Sequence, residues 1–227
     1  VDWKQKLYSK FGTIFDLDLS VFKTEFSNRI LPDYETNPNQ IIYSNLDGKS
    51  VTQGITLNIN SLSANGLKVN LGATFIDSKI IQNNETEYPF LTENFSGNYR
   101  VSYTLYNPKI TFDLSGTVIG PMKLPLLGPL DTRDPKSPVI NIMNIQSTYS
   151  FKEFELYAGI KNIFNFKPAS NSIARAFDPF DTGVEFGSNG HVIATPNNPN
   201  ALSFDPSYVY YSNQGTNGFL GLRYHIK

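Results

Sequence analysis

The feature that most restricts how this chain can fold is a one-for-one alternation of apolar and polar residues, held for about ten residues at a time and repeated along the sequence. Successive side chains of a strand point to opposite faces, so each such stretch has one apolar and one polar face. The last segment sets Leu220, Leu222, Tyr224 and Ile226 against Gly221, Arg223, His225 and Lys227. Before it, Phe154, Leu156, Ala158, Ile160 and Phe164 oppose Glu155, Tyr157, Gly159 and Lys161, with Asn162 breaking the apolar side near its end. Met143, Ile145, Tyr149 and Phe151 oppose Asn144, Gln146, Thr148, Ser150 and Lys152, and Ser147 alone is out of place. The pattern continues upstream through Ile110 to Val118, Phe95 to Leu105, Leu67 to Phe75, Ile55 to Asn60 and, less cleanly, Phe15 to Phe22. A partial strand around Asp2 to Lys10 makes about nine in all.

The connections carry a second signal. Ser9 to Gly12, Ser63 to Gly66, Asn107-Pro108 and Lys152-Glu153 are tight hairpin turns built from residues that tolerate turn geometry. Between them lie long Asn- and Pro-rich stretches: Phe26 to Gln40, Asp77 to Asn94, Ile119 to Pro138 and Lys167 to about Thr216. Short and long alternate throughout. Outer-membrane barrels show this asymmetry, with short periplasmic turns, long outer loops and spanning strands of ~10 residues.

A soluble antiparallel sandwich would alternate in the same way, because one face of each sheet meets the core. Two observations favour a membrane barrel. The strands exceed the usual length of about five or six residues, and their polar faces are rich in Ser, Thr, Asn and Gly rather than Lys and Glu. Composition agrees with an all-β chain: among 227 residues there are 13 Tyr and 17 Phe but 2 Met. A net charge of -1 gives no field to gather polyanions, so nucleic acid is not an expected partner. With no Cys, disulfides, thiolate catalysis and thiolate metal sites are all excluded. No run approaches the ~18 apolar residues a spanning helix needs. A mean hydropathy of -0.28 does not count against a barrel, whose polar lumen face cancels its lipid face in any average. The chain opens at Val1 without Met or an apolar leader, which reads as an internal start.

Three stretches resemble the TonB-dependent receptors, the plugged outer-membrane transporters, and particularly the forms found in Bacteroidota. Tyr43-Ser44-Asn45-Leu46-Asp47-Gly48-Lys49-Ser50, followed by Gly54, resembles the strand that enters the barrel after an outer loop. Gly159-Ile160-Lys161-Asn162-Ile163-Phe164-Asn165 is similar to the G-x-x-N-[LI]-F-N signature of the penultimate strand. Phe204 to Tyr210, Asn213-Gln214-Gly215 and Phe219 to Tyr224 resemble the final loop and closing strand. One departure is the chain end, where Ile226 and Lys227 follow Tyr224 in place of a terminal aromatic.

The resemblance implies the carboxy-terminal part of an antiparallel transmembrane barrel that closes ~22 strands around a plug. Residues 1–227 would form that part, with the plug and the earlier strands absent. It implies a multi-pass protein of the bacterial outer membrane that takes up a scarce solute of the ferric siderophore, haem or cobalamin class. The drive would come from the TonB-ExbB-ExbD energy complex acting through the plug. Its expected partners are the rest of the barrel, outer-membrane lipid, a small-molecule or metal-chelate ligand and a surface lipoprotein. It implies no enzyme activity, no cofactor and no resident metal.

Two sets of residues are candidates for ligand contact. Lumen-facing Asp16, Asp18, Arg100, Asp113, Glu155, Lys161 and Arg223 could meet the plug or a passing solute, although a hydrated wall paired to its neighbours is the plainer reading of each. In the longest loop, Arg175, Phe177, Asp178, Phe180 and Asp181 join carboxylates to aromatics where a ligand would arrive, while Asp-Pro pairs such as Asp178-Pro179 are also ordinary turn starters. A calcium site from Asp178, Asp181 and Glu185 lacks the EF-hand spacing. Rival readings are a passive porin, an outer-membrane hydrolase using Asp131, Asp134 or His225 with lumen Ser residues, and a soluble sandwich lectin. G-x-S-x-G, H-E-x-x-H and P-loop motifs are all missing, and His191 and His225 lie far apart in sequence.

Nine strands laid open in lipid would leave two unpaired edges, where each unsatisfied backbone group costs several kcal/mol. The 227-residue segment expressed alone is therefore expected to aggregate or to pair with a companion segment in detergent. A folded monomer on size-exclusion chromatography with light scattering would contradict this.

Overall fold

The alternating stretches pair edge to edge, because a strand with one apolar and one polar face must place both faces consistently with its neighbours. The computed structural model describes residues 1–10, 12–33, 42–124, 134–168, 185–188, 192–196, 211–212 and 214–226. In chain order the strands are β1 (Asp2–Tyr8), β2 (Thr13–Phe26), β3 (Ile30–Asp33), β4 (Ile42–Asn45), β5 (Lys49–Ser63), β6 (Leu67–Gln82) and β7 (Glu85–Glu87), then β8 (Phe95–Tyr106), β9 (Lys109–Ile119), β10 (Ile140–Phe151), β11 (Phe154–Lys161), β12 (Glu185–Phe186), β13 (Val192–Ile193) and β14 (Asn217–Tyr224). One antiparallel sheet runs β1-β2-β5-β6-β8-β9-β10-β11-β14, with β7 folded back on β6. These nine strands are the nine expected from the alternation.

The four short turns all lie at one end of the sheet. Gly12 N–H donates to the Ser9 carbonyl at 3.2 Å and Gly66 N–H to that of Ser63 at 3.1 Å. Gly66 has φ +90, a conformation that a side chain opposes. Every long connection leaves from the opposite end. Three of them contain strands of their own: β3 pairs with β4 in the first, β6 continues past Asp77 before turning through Asn83 and Asn84 into β7 in the second, and β12 pairs with β13 in the fourth. Conversely, β11 stops at Lys161 rather than reaching Phe164.

Among the described residues no second sheet covers the apolar face, and its side chains stand out from it: Leu220 is 75% exposed, Leu222 66% and Phe75 57%. A sandwich would bury these residues, so the wall of a barrel is the architecture. β8 and β10 have 12 residues each. At ~3.3 Å per residue and a tilt of ~45° they rise about 28 Å, close to the ~30 Å of a bilayer's hydrocarbon core.

The apolar band ends sharply toward the long loops. Val21, Ile55, Phe75 and Phe95 lie in one cross-strand row, and the Phe75 and Phe95 rings meet at 4.9 Å. In the next row on the same face stand Lys23, Gln53 and Asp77. Beyond it Lys49 pairs with Glu25 at 3.6 Å and Lys79 with Asp77 at 2.7 Å. The Lys79 ammonium hydrogen-bonded to Asp77 holds that carboxyl below its usual range. At the short-turn end of the band, Tyr149 and Phe151 stack at 6.4 Å, and Phe154 meets Tyr224 at 4.9 Å. Aromatic rims of this kind suit the two interfaces of a membrane.

Glycines on the wall receive rings from the adjacent strand. Tyr157 lies over Gly221 and Phe219 over Gly159, so the two rings interlock between β11 and β14. A methyl group on Gly159 would meet the Phe219 ring and stand 2.5 Å from the Ile145 carbonyl oxygen, whereas Gly218 has nothing within 4 Å. Gly159→Ala is expected to destabilise the folded barrel by about 1–3 kcal/mol. Gly218→Ala should stay within about 0.5 kcal/mol of the parent. The temperature at which folded electrophoretic mobility is lost reads both, and equal shifts would refute the packing argument.

Candidate functional site

The charges on the polar face of the wall are arranged in cross-strand pairs. Lys4 meets Asp18 at 3.2 Å and Lys6 meets Asp16 at 3.4 Å, each directly opposite its partner on β1 and β2. Arg100 reaches diagonally to Asp113, donating to Oδ1 from Nη2 at 2.9 Å and from Nε at 3.3 Å, and the Ser102 hydroxyl donates to the same oxygen. Glu155 accepts from Arg223 at 2.7 Å and has His225 Nε2 at 3.4 Å. Lys161 has no carboxylate partner among the described residues and lies 5.6 Å from the centre of the Phe219 ring. Six of the seven predicted lumen residues are therefore engaged with neighbours in ion pairs, and Lys161 rests on an aromatic ring. Neutral ladders fill the spaces between them: Thr56 with Thr74 at 3.1 Å, Asn70 to Asn60 at 2.7 Å and Thr104 with Thr111 at 3.0 Å.

At the far end of the sheet the polar face is covered. The buried hydrophobic residues among those described are Leu46, Met122, Leu124 and Ile140. All four sit where the long connections fold inward over the ends of β6, β9 and β10. Leu91 N–H donates to the Lys123 carbonyl at 2.8 Å, Leu124 N–H to Pro135 at 2.9 Å, and Ser137 N–H to Met122 at 2.9 Å. The Ser137 hydroxyl in turn accepts from Met122 N–H at 3.0 Å. Two cavities flank the segment Tyr88 to Thr92 in this layer. One, of about 490 Å³, is lined by Arg29, Asp33, Ser44, Glu87 and Tyr88 among others. The other, of about 580 Å³, includes Ser78, Tyr88, Thr92, Glu93, Lys123 and Lys136. Cavities of this size suit small-molecule ligands.

Alternation alone missed this layer, although a signal for it exists. Around positions 76 to 81 the parity inverts: Asp77 and Lys79 fall on the lipid-side face, and Ile76 and Ile80 on the lumen-side face. Ile140 and Asn141 invert in the same sense on β10. Inverted parity at a strand end means that the outer surface has left the lipid and the inner one has gained cover.

Asn162 has a role that the sequence showed only as an interruption. It is buried with φ +51, and its Nδ2 donates to the carbonyls of Phe166 at 2.8 Å and Gln214 at 3.1 Å. Its Oδ1 accepts from Phe166 N–H at 2.9 Å, and its own carbonyl accepts from the Thr216 hydroxyl at 2.7 Å. Asn144 Oδ1 accepts the Asn162 backbone N–H at 2.9 Å, while Asn165 Oδ1 accepts that of Thr216 at 3.1 Å. One amide thus ties the end of β11 to the start of β14.

The loop residues Arg175, Phe177, Asp178, Phe180 and Asp181 lie outside the described residues, as do Asp131 and His191. Of the calcium set, Glu185 alone is described, in β12. His225 is held by Glu155, and its backbone N–H donates to the Glu153 carbonyl at 2.8 Å.

A family model described as TonB dependent receptor-like, beta-barrel, matches residues 3–163. Among solved structures, the fold is similar to that of the ferric-catecholate import receptor Fiu of E. coli K12 in its closed form. The TM-score is 0.52 at 13% identity, covering 73% of this chain and 23% of that one. It is also similar to the siderophore receptor PiuA of Acinetobacter baumannii, with a TM-score of 0.48 at 16% identity, covering 68% of this chain and 24% of that one. The chain spans about a quarter of the length of these receptors. No curated protein matches the sequence closely enough to report.

Asn162→Ala would remove three side-chain hydrogen bonds from a buried site and an asparagine from the left-handed region, at a cost of about 2–3 kcal/mol. The expected result is faster cleavage between residues 167 and 216 by protease added to whole cells, with the barrel band itself intact. Unchanged cleavage would show that the amide does not anchor this loop.

Proposed function

Because this chain belongs to the TonB-dependent receptor β-barrel family, we propose that it forms part of the wall and mouth of an outer-membrane active transporter. Barrels of this family reside in the bacterial outer membrane, and the family consists of transporters rather than enzymes. The observation that carries the reading is the uncovered apolar face, bounded by the row from Val21 to Phe95 and succeeded by the charged row Lys23, Gln53 and Asp77. A surface with that profile is stable only in contact with lipid.

The solute is a scarce one of the ferric siderophore, haem or cobalamin class. Residues outside this chain supply the plug and the remaining strands of a barrel of ~22, and the edges of β1 and β14 are where that wall continues. The TonB-ExbB-ExbD complex acts through the plug. The three stretches quoted from the sequence support a receptor of the Bacteroidota type, for which a surface lipoprotein is a fitting partner. Ligand contacts fall to the mouth, including Arg175, Phe177, Asp178, Phe180 and Asp181, because six of the seven candidate charges of the wall are already occupied by neighbouring charges.

Uptake measurements test this. Cells lacking the gene should lose accumulation of iron-55 supplied as a chelate under iron limitation, regain it with the full-length gene, and lose it again when a protonophore collapses the proton gradient. Accumulation that survives the protonophore would indicate a passive porin instead.

A further inference from the structure

Wherever the described residues place two charged side chains directly opposite each other across paired backbones, the charges are of opposite sign, with one exception. Lys4 faces Asp18, Lys6 faces Asp16 and Glu155 faces Arg223. In the loop layer at the mouth, however, Lys123 faces Lys136 across an antiparallel bridge. Like charges directly opposite are destabilising, and a wall that matches its charges elsewhere would be expected to match these.

The lysine backbones are not free to separate. Met122 and Leu124, on either side of Lys123, are buried, and the bonds Leu124 N–H to Pro135 and Ser137 N–H to Met122 bracket the bridge. The Lys123 ammonium lies 4.2 Å from the centre of the Phe90 ring, which offers it an aromatic face but no counter-charge. Both lysines line the cavity of about 580 Å³ that also takes in Ser78, Tyr88, Thr92 and Glu93. Asp77 borders it too, but that carboxylate is already engaged by Lys79 and by Gln53 Nε2 at 3.2 Å. Glu93 is the one further carboxylate of the lining, so two ammonium groups outweigh it. Ser78 shares the lumen-side parity of Thr74, so the cavity reaches the lumen-side surface of β6.

We propose that Lys123 and Lys136 form an anion-binding site at the mouth, built for a soluble solute that carries several anionic oxygens close together, as an anionic metal chelate does. The proposal rests on the uptake reading for the role of that solute as cargo, and it adds the sign and density of the solute's charge. Charge-assisted hydrogen bonds to the two ammonium groups, carried on a fixed backbone bridge, would hold adjacent oxygens of one ligand, and the ligand would relieve the repulsion between the lysines.

Two inert complexes of similar size separate charge from shape: the anion tris(oxalato)chromate(III) and neutral tris(glycinato)chromium(III). Titration calorimetry on the full-length protein in detergent should show the anion binding at least about tenfold more tightly than the neutral complex. Lys123→Gln/Lys136→Gln should weaken the anion by about tenfold or more without changing the neutral complex, and Lys123→Arg/Lys136→Arg should retain binding. Folded electrophoretic mobility of each variant shows that the barrel is intact. Equal affinity of the parent for both complexes, no binding of the anion, or undiminished binding by the double glutamine variant would overturn the site. Iron uptake that fails while anion binding persists would instead remove the uptake reading and leave the site standing. Uptake that continues in the double glutamine variant with binding unchanged would do the reverse.

Discussion

In a medium without water, each backbone N–H and C=O must find its partner within the protein, and the rest of this structure depends on that requirement. A strand cannot meet it alone, so it must lie between two neighbours, and the neighbours must continue until the sheet closes. The ladder from β1 to β14 answers this over nine strands. Because the ladder also fixes which side each residue faces, a single register sets lipid against one surface and water against the other. The same register brings Lys4 to Asp18 and Glu155 to Arg223. Charge pairing in the wall is therefore a consequence of backbone pairing, and it leaves a lumen surface that is polar yet electrostatically quiet.

The structure makes a different use of charge above the lipid. Where the outer face passes from Phe75 to Asp77, water replaces hydrocarbon on one side while inward-folded connections replace water on the other. Polar and apolar roles exchange faces within one continuous strand. The only buried hydrophobic residues among those described belong to this upper layer, so the closest thing the chain has to a soluble core lies at its mouth. Stability in the wall comes from lipid contact and the backbone ladder, and stability at the mouth from ordinary burial.

This division explains what could be read from residues alone. The strands from Leu67 to Phe75 and from Phe95 to Leu105 were legible because lipid on one side and water on the other impose a strict period of two. The four tight turns were legible from their Gly, Asn and Pro. By contrast, the extension of β6 to Gln82 and the cover over Ile140 were not, since a region covered by its own loops obeys no external medium and its pattern depends on partners distant in sequence. The bridge between Lys123 and Lys136 belongs to the same category: thirteen positions apart in Pro-rich sequence, nothing local marks them as opposite. Asn162 stood out as a flaw in the alternation, yet its partners Gln214 and Thr216 lie more than fifty residues away, beyond the reach of any local pattern. The lumen charges could be located but not paired, because pairing required the register.

The bonds around Asn162 also have a mechanical meaning. They join the two feet of the longest connection at a single point on the rim, from Phe166 on one side to Gln214 and Thr216 on the other. Closing a long connection at its base fixes the separation of its two ends. Force applied to that connection is delivered to the rim through β11 and β14 together, in shear along paired strands rather than by peeling one from the other. A wall loaded in that way is not unzipped strand by strand.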